Sequence, residues 1–295
     1  MLPCAALSRR RLLTLIGCST LLWRSGPLLA APLDPQRVVA LEWLPVELLV
    51  ALGVTPLGVA DIAGYRNWVG KPALPASVID LGLRTEPNLE LLAQLKPSLM
   101  AYSSGYGPAP EKIARIAPGF GVSFSDGLQP LTAASASLIA LGERLGLAPR
   151  ARQHLAQFEQ FIARMKPRFA RRQRPVLLMS LMDSRHALVI GKHSLFQQVM
   201  DQLGIRNAWQ GEVNFWGSSV IGLERLAAIS DADVICFDHG NQRVTSQVMG
   251  SPLWQAMPFV RQQRFWRAPP VWFYGATLSA MYFATVMDSL LGGRE

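Results

Sequence analysis

Arg84 is the residue in this sequence whose type and setting most clearly announce chemistry. It stands in Gly82-Leu83-Arg84-Thr85-Glu86-Pro87, just past an apolar run that ends at Leu81. A guanidinium offers five N–H donors in a rigid fork, which suits paired oxygens. Tyr106, in Ser104-Gly105-Tyr106-Gly107, adds a hydroxyl on a glycine-flanked turn. The competing reading of Arg84 is a surface arginine paired with Glu86. Aromatic residues collect in similar places: Trp43, Tyr65 and Trp68, Tyr102, Phe215 and Trp216, and the run Trp272-Phe273-Tyr274. Most follow short apolar runs that read as strands. In open parallel sheets ligands bind beyond the carboxyl ends of the strands. An aromatic-lined cleft there suits a large, amphiphilic, mostly uncharged ligand. The competing reading is that these rings pack cores or a hinge.

Catalytic signatures are missing. The sequence contains no G-x-S-x-G, no Walker loop, no H-E-x-x-H and no G-x-G-x-x-G. His154, His186, His193 and His239 are not spaced as metal ligands, and no thiolate pair accompanies them. Asp238-His239 has no partnering nucleophile. Neither an enzyme nor a metal ligand set is expected.

The elements that must position these residues follow an α/β alternation from Arg37 onward. Strands are expected at Val38–Leu41, Leu57–Ala60, Val78–Leu81, Leu99–Ala101, Val176–Ser180, Leu188–Ile190 and Val234–Phe237. Helices are expected at Val46–Leu52, Asn88–Leu95, Ser194–Leu203 and Gly275–Leu290. Between the two strand blocks, residues 148–170 contain no Gly, and Leu155, Phe158, Phe161 and Ile162 recur at helical spacing. A helix of about 20 residues spans about 30 Å, enough to bridge two lobes. The expected plan is therefore an N-terminal lobe over 32–147, a backbone helix over 148–171 and a C-terminal lobe over 172–295, each lobe with a parallel-type sheet. Asn88–Leu95 resembles Gly222–Ile229, a weak internal repeat suggesting lobes of similar topology.

Composition agrees with a folded, exported chain. Half of the 295 residues are hydrophobic and 17% are charged, which fits neither disorder nor a coiled coil. The net charge is +9, but Arg9, Arg10, Arg11 and Arg24 lie in the first thirty residues, which contain no acid. Without them the remainder carries about +5, with no basic runs among aromatics, so nucleic-acid binding is not expected. Ser8-Arg9-Arg10-Arg11-Leu12-Leu13, a following apolar stretch and Ala30-Ala31 read as an export signal over 1–31 of twin-arginine type. Leu15-Ile16-Gly17-Cys18 offers the alternative of a lipid anchor at Cys18. Past the signal only Cys236 remains, so no internal disulfide is expected.

Long motifs carry a resemblance. Val39 to Leu49, Gly82 to Leu92, Gly105-Tyr106-Gly107-Pro108, Asn207 to Glu212, Asn214-Phe215-Trp216-Gly217 and Val271 to Met281 resemble the periplasmic ferric hydroxamate siderophore-binding proteins, helical-backbone members of ABC importers. The resemblance implies a monomer that binds ferric hydroxamates between two lobes and delivers them to an inner-membrane ABC permease, with iron carried inside the ligand and no resident cofactor. Arg84 and Tyr106 would meet the hydroxamate oxygens, and Trp43, Trp68, Tyr102, Asn214, Trp216, Trp272, Phe273 and Tyr274 would complete the site. Tyr102 stands where Trp is expected, which implies a slightly different siderophore preference. Glu90 and Glu224 would meet permease arginines. Cobalamin or haem in the same fold, or an exported siderophore hydrolase, are the alternatives.

Overall fold

The computed structural model describes residues 33–240 and 242–293; the expected export signal and Cys18 lie outside that range. The N-terminal lobe holds strands β1 (Val38–Ala40), β2 (Gly58–Val59), β3 (Ile79–Asp80), β4 (Leu99–Ser103) and β5 (Gly119–Val122). They form one sheet in the order β3-β2-β1-β4-β5, parallel at every pairing. Four helices connect them: α1 (Trp43–Ala51), α2 (Ile62–Trp68), α3 (Leu89–Leu95) and the single turn α4 (Pro110–Ile113). Helix α1 starts three residues before the expected Val46, because Glu42 caps it. The Glu42 carboxylate accepts from the Leu44 N–H at 2.8 Å, satisfying a donor that the helix itself cannot.

Two helices follow, α5 (Pro130–Arg144) and α6 (Ala148–Met165), and both cross between the lobes. Leu131 on α5 joins the C-terminal core, whereas Ala134, Leu138 and Leu141 join the N-terminal one. On α6, Ala151 packs into the N-terminal core and Phe158 and Ile162 into the C-terminal core. The regular helix stops at Met165 and continues as a 3₁₀ turn over Lys166–Phe169, since Pro167 has no N–H and disfavours helical backbone before it.

The C-terminal lobe contains β6 (Val176–Leu181), β7 (His186–Ile190), α7 (Leu195–Leu203), β8 (Ser218–Gly222), β9 (Asp233–Phe237), α8 (Gln242–Met249), α9 (Pro252–Gln255), α10 (Pro258–Arg261), β10 (Phe265–Ala268) and α11 (Thr277–Leu291). Its sheet runs β10-β9-β6-β7-β8 and is mixed, not parallel: β7 pairs antiparallel with both β6 and β8. The reason is local. Only residues 182–185 separate β6 from β7, and Asp183 closes the turn by accepting from the N–H groups of Arg185 and His186 at 2.7 and 2.8 Å. A parallel return needs a crossover of about a dozen residues or more.

The internal repeat also diverges in structure. Asn88 caps α3 through its side chain, accepting from Leu91 N at 2.9 Å. Gly222 has no side chain to offer, and Leu223–Ala228 winds as a 3₁₀ helix.

Candidate functional site

Between the lobes lies a cleft of about 510 Å³, lined by Glu42, Leu44, Arg84, Ser103, Ser104, Tyr106, Ser123, Phe124, Ser125, Phe215, Trp216, Trp272 and Tyr274. The N-terminal lobe contributes through residues just beyond the carboxyl ends of β1, β3, β4 and β5, where an open parallel sheet places ligands. A larger groove of about 780 Å³ on the C-terminal lobe, around Asp201, Arg206 and Asp231, is lined by no aromatic residue.

Arg84 sits at the floor, and its geometry is over-determined. Its guanidinium carbon lies 3.5 Å from the Trp43 ring centroid and 5.2 Å from that of Tyr106, between two aromatic faces. Nη1 donates to Glu42 Oε1 at 2.9 Å, and Nε stands 3.6 Å from Asp61 Oδ2. Among the described residues none accepts from Nη2 within hydrogen-bonding distance, so one edge of the fork remains for a ligand oxygen. Glu42 is itself fixed: its second oxygen accepts from Leu44 N and from Ser103 Oγ, both at 2.8 Å.

Tyr106 stands above Arg84, partly exposed. Gly105 and Gly107 both take positive φ, at 78° and 87°, which only glycine adopts without strain. A side chain at Gly107 would also meet the Arg84 carbonyl at 3.0 Å.

The opposite wall is aromatic. Trp216 lies 5.3 Å from both Phe124 and Tyr274, and Phe215 packs edge-on to Trp216. Asn214 shapes this loop, its Oδ1 accepting from Trp216 N at 2.9 Å and Ser218 N at 3.2 Å. Gly217 (φ 71°) presses on Ser194, leaving no room for a Cβ. Burial raises the Tyr274 phenol above its ordinary pKa, against a smaller opposing effect of its hydrogen bond to Ser218. It stays a neutral hydroxyl.

Of the ten residues expected to bind ligand, Arg84, Tyr106, Trp216, Trp272 and Tyr274 line the cleft. Five stand off the lining, for reasons of backbone parity and packing. Trp43 is buried beneath Arg84, its indole N–H donating to Ala60 O at 3.2 Å. Trp68 lies on α2 behind Trp272 and stacks on His239 with ring centroids 4.4 Å apart. Tyr102 turns away because side chains alternate along β4; its ring covers Gly119 and Gly121 while Ser103 faces the cleft. Phe273 also turns away, into the C-terminal core. The segment 271–274, which turns at Phe273-Tyr274, gives Val271 and Phe273 to the C-terminal core and Trp272 to the N-terminal one. Asn214 builds the loop without lining the cleft. Glu90 and Glu224 are both exposed, each in the first turn of its helix, α3 and the Leu223–Ala228 turn.

Sequence reasoning missed Glu42, Phe124 and the serines 103, 123 and 125. The signal for Glu42 was present: an acid between a strand end and an apolar helix, at the sheet edge where ligands bind. Among the described residues, no group of three or more His, Cys, Asp and Glu could hold a metal ion. No described helix is long and apolar enough to cross a membrane.

Comparison with known proteins agrees with this architecture. The family model described as periplasmic binding protein matches residues 38–271. The iron(3+)-hydroxamate-binding protein FhuD of Escherichia coli K12 is 60% identical over 289 residues, covering 98% of each chain. The solved structure of FhuD from Vibrio cholerae bound to Fe³⁺-Desferal superposes with a TM-score of 0.79 at 30% identity, covering 87% of this chain and 97% of that one. The triscatecholate siderophore-binding protein FeuA of Bacillus subtilis shares the fold at a TM-score of 0.69 and 15% identity, over 89% of this chain and 94% of its own. With two lobes, bridging helices and a cleft at the strand ends, this chain belongs to the periplasmic binding protein family.

Proposed function

We propose that the protein binds ferric hydroxamate siderophores in the interlobe cleft and delivers them to an inner-membrane ABC permease, without catalysis and as a monomer. The observation that carries the reading is the free edge of Arg84, held by Glu42 at the floor of an aromatic cleft. Three hydroxamate monoanions balance ferric iron, so their chelate is neutral at the metal centre. One guanidinium edge and the Tyr106 hydroxyl answer its outward oxygens, and Phe215, Trp216, Trp272 and Tyr274 cover its apolar periphery. A ferric tris-catecholate, with three excess negative charges, requires several converging cations; among the described residues Arg84 is the only basic one lining this cleft. The FhuD relatives named above carry hydroxamates, in keeping with this. Iron enters as cargo inside its chelator and calls for no protein ligand.

The same reading takes residues 1–31 as a twin-arginine export signal, with lipidation at Cys18 as the alternative. It takes Glu90 and Glu224 as the lobe-tip carboxylates that meet the permease.

Titration of tryptophan fluorescence with a ferric hydroxamate, a ferric catecholate, cobalamin and haem tests the cargo. Saturable quenching by the hydroxamate alone supports the reading. Quenching by cobalamin or haem alone reassigns the cargo, and cleavage of the ligand would make the protein a hydrolase.

A further inference from the structure

The cations of the folded chain are unevenly placed. Six of the eleven residues from Arg164 to Arg174 are basic and none is acidic. They cover the end of α6, the 3₁₀ turn Lys166–Phe169 and the approach to β6. Strands β6, β9 and β10 run parallel, so their amino ends lie together, and two more arginines join the run there. The Arg264 carbonyl accepts from Val234 N and the Arg206 carbonyl from Val176 N, both at 2.8 Å. The Arg206 side chain reaches back to donate to the Gln173 carbonyl.

Three acids answer these cations. Arg172 is buried against Asp233, Arg168 pairs with Asp288, and Arg174 and Arg264 share Asp231 at 3.1 and 2.9 Å. The excess of positive charge in the cluster matches the net charge left on the chain once Arg9, Arg10, Arg11 and Arg24 are set aside. Among the described residues, Arg164, Lys166, Arg171 and Arg206 form no ion pair, and all four are exposed. The run is presented on a fixed base, because its one aromatic ring, Phe169, is buried in the C-terminal core.

The character of the surface selects its partner. A protein partner is gripped through apolar or aromatic anchors, and single-stranded nucleic acid through rings on which bases stack. None of the exposed large hydrophobic residues of the chain lies in this run. Clustered exposed cations without such anchors suit an extended anionic surface, to which each basic side chain adds attraction.

We propose that this end of the C-terminal lobe docks reversibly on bilayers rich in anionic phospholipid. It lies at the amino end of β6, about 17 Å from the seam where Ser180, Leu181 and Met182 meet Trp68. Glu224 belongs to that opposite end as well, since Gly222 pairs with His186 beyond the turn that closes β6. A receptor held this way keeps the interlobe cleft open and Glu224 clear of the lipid.

Sedimentation with vesicles tests the proposal. Protein purified from the periplasm is mixed with vesicles of equal parts phosphatidylglycerol and phosphatidylcholine, and with phosphatidylcholine alone. At about 0.1 M ionic strength charges more than about 10 Å away are screened. Wild type should pellet with the anionic vesicles only, and about 1 M salt should release it. The triple variant Arg164→Gln, Lys166→Gln, Arg171→Gln breaks no ion pair, and its partition onto anionic vesicles should fall at least about tenfold. A control with the same change in net charge on the N-terminal lobe, Lys71→Gln with Lys112→Gln and Arg115→Gln, alters exposed residues only. It should stay within about threefold of wild type. Thermal melts establish that both variants are folded, and the salt release of wild type needs no variant. Equal sedimentation with both kinds of vesicle, binding that survives high salt, or equal losses in the two variants overturns the proposal. So does retention on purified peptidoglycan with none on the vesicles.

Discussion

The carboxylate of Glu47, on α1 of the N-terminal lobe, accepts the backbone N–H of Ser279 on α11 at 2.9 Å. The same oxygen accepts from Ala276 N at 2.9 Å, and Ser279 Oγ donates to the other. A fully buried acid thus caps the C-terminal helix from the opposite lobe and fixes the strap that carries Trp272 and Tyr274. From α6, His154 Nε2 meets Thr277 Oγ1 at 2.8 Å, at the same helix start.

Burial raises the Glu47 pKa to about 7, against the lowering effect of its hydrogen bonds to Ser279 and Ala276. A group whose folded pKa lies above its unfolded value of 4.5 gives stability that is full below about 4.5 and lost as pH rises through about 7. His154 and His239, both lowered by burial, act in the opposite sense, costing stability as pH falls below the ordinary histidine range. The difference between wild type and Glu47→Gln isolates the carboxyl. Thermal melts from pH 5 to pH 8.5 should show wild type losing ground to the variant as pH rises, by about 2–3 kcal/mol overall. Parallel curves would contradict a buried, titrating latch.

Much of this architecture is legible in the sequence because its elements are locally encoded. Strand β1, helix α3 with its Asn88 cap, helix α7 with its Ser194 cap and the start of α6 fall within a residue or two of their expected places. Arg84, Tyr106 and Trp216 were found by combining residue type with position after a strand or in a glycine-bearing loop. The errors arise where three-dimensional parity decides. Tyr102 is adjacent to the cleft residue Ser103 on extended β4, where adjacency means opposite faces, and Phe273 sits between two cleft residues on a turn that delivers it to the C-terminal core. Strands β5, β8 and β10 are short and lack a distinct apolar run, as in Gly119-Phe120-Gly121-Val122. Glu42 and Glu47 read locally as helix-end charges, because their partners, Arg84 and Ser279, are 42 and 232 residues away.

Arg84→Ala should weaken ferric hydroxamate binding by about 2 kcal/mol or more, the usual effect of losing a charge-assisted contact. Arg84→Lys should recover little of it, since an ammonium lacks the planar fork that reaches Glu42 and a ligand oxygen together. Equilibrium titration of both variants checks this, and unchanged affinity in Arg84→Ala removes the residue from the site.

Trp216→Ala and Tyr102→Leu should separate cleft wall from lobe core. The first removes an exposed ring from the lining and should cost at least about tenfold in affinity with little loss of stability, within the range for burying an aromatic contact. The second uncovers Gly119 and Gly121 and should cost about 1–3 kcal/mol of stability while leaving affinity within about twofold. Paired titrations and denaturant melts measure both; lost binding in folded Tyr102→Leu would place that ring in the site after all.

Glu90→Ala combined with Glu224→Ala should leave siderophore binding intact and lower uptake in cells. Both carboxylates are exposed and outside the cleft lining, so a binding defect is not expected. Normal uptake in the double variant would refute their docking role.

The most direct measurement is a crystal structure of the protein with a gallium trihydroxamate, the redox-inert analogue of the iron chelate. The chelate should lie between Tyr106 and Trp216, with hydroxamate oxygens about 2.7–3.2 Å from Arg84 Nη2 and the Tyr106 hydroxyl, and with the Glu42–Arg84 ion pair intact. A chelate bound in another groove, or seated in this cleft with its metal-binding oxygens turned away from Arg84, would contradict the assignment.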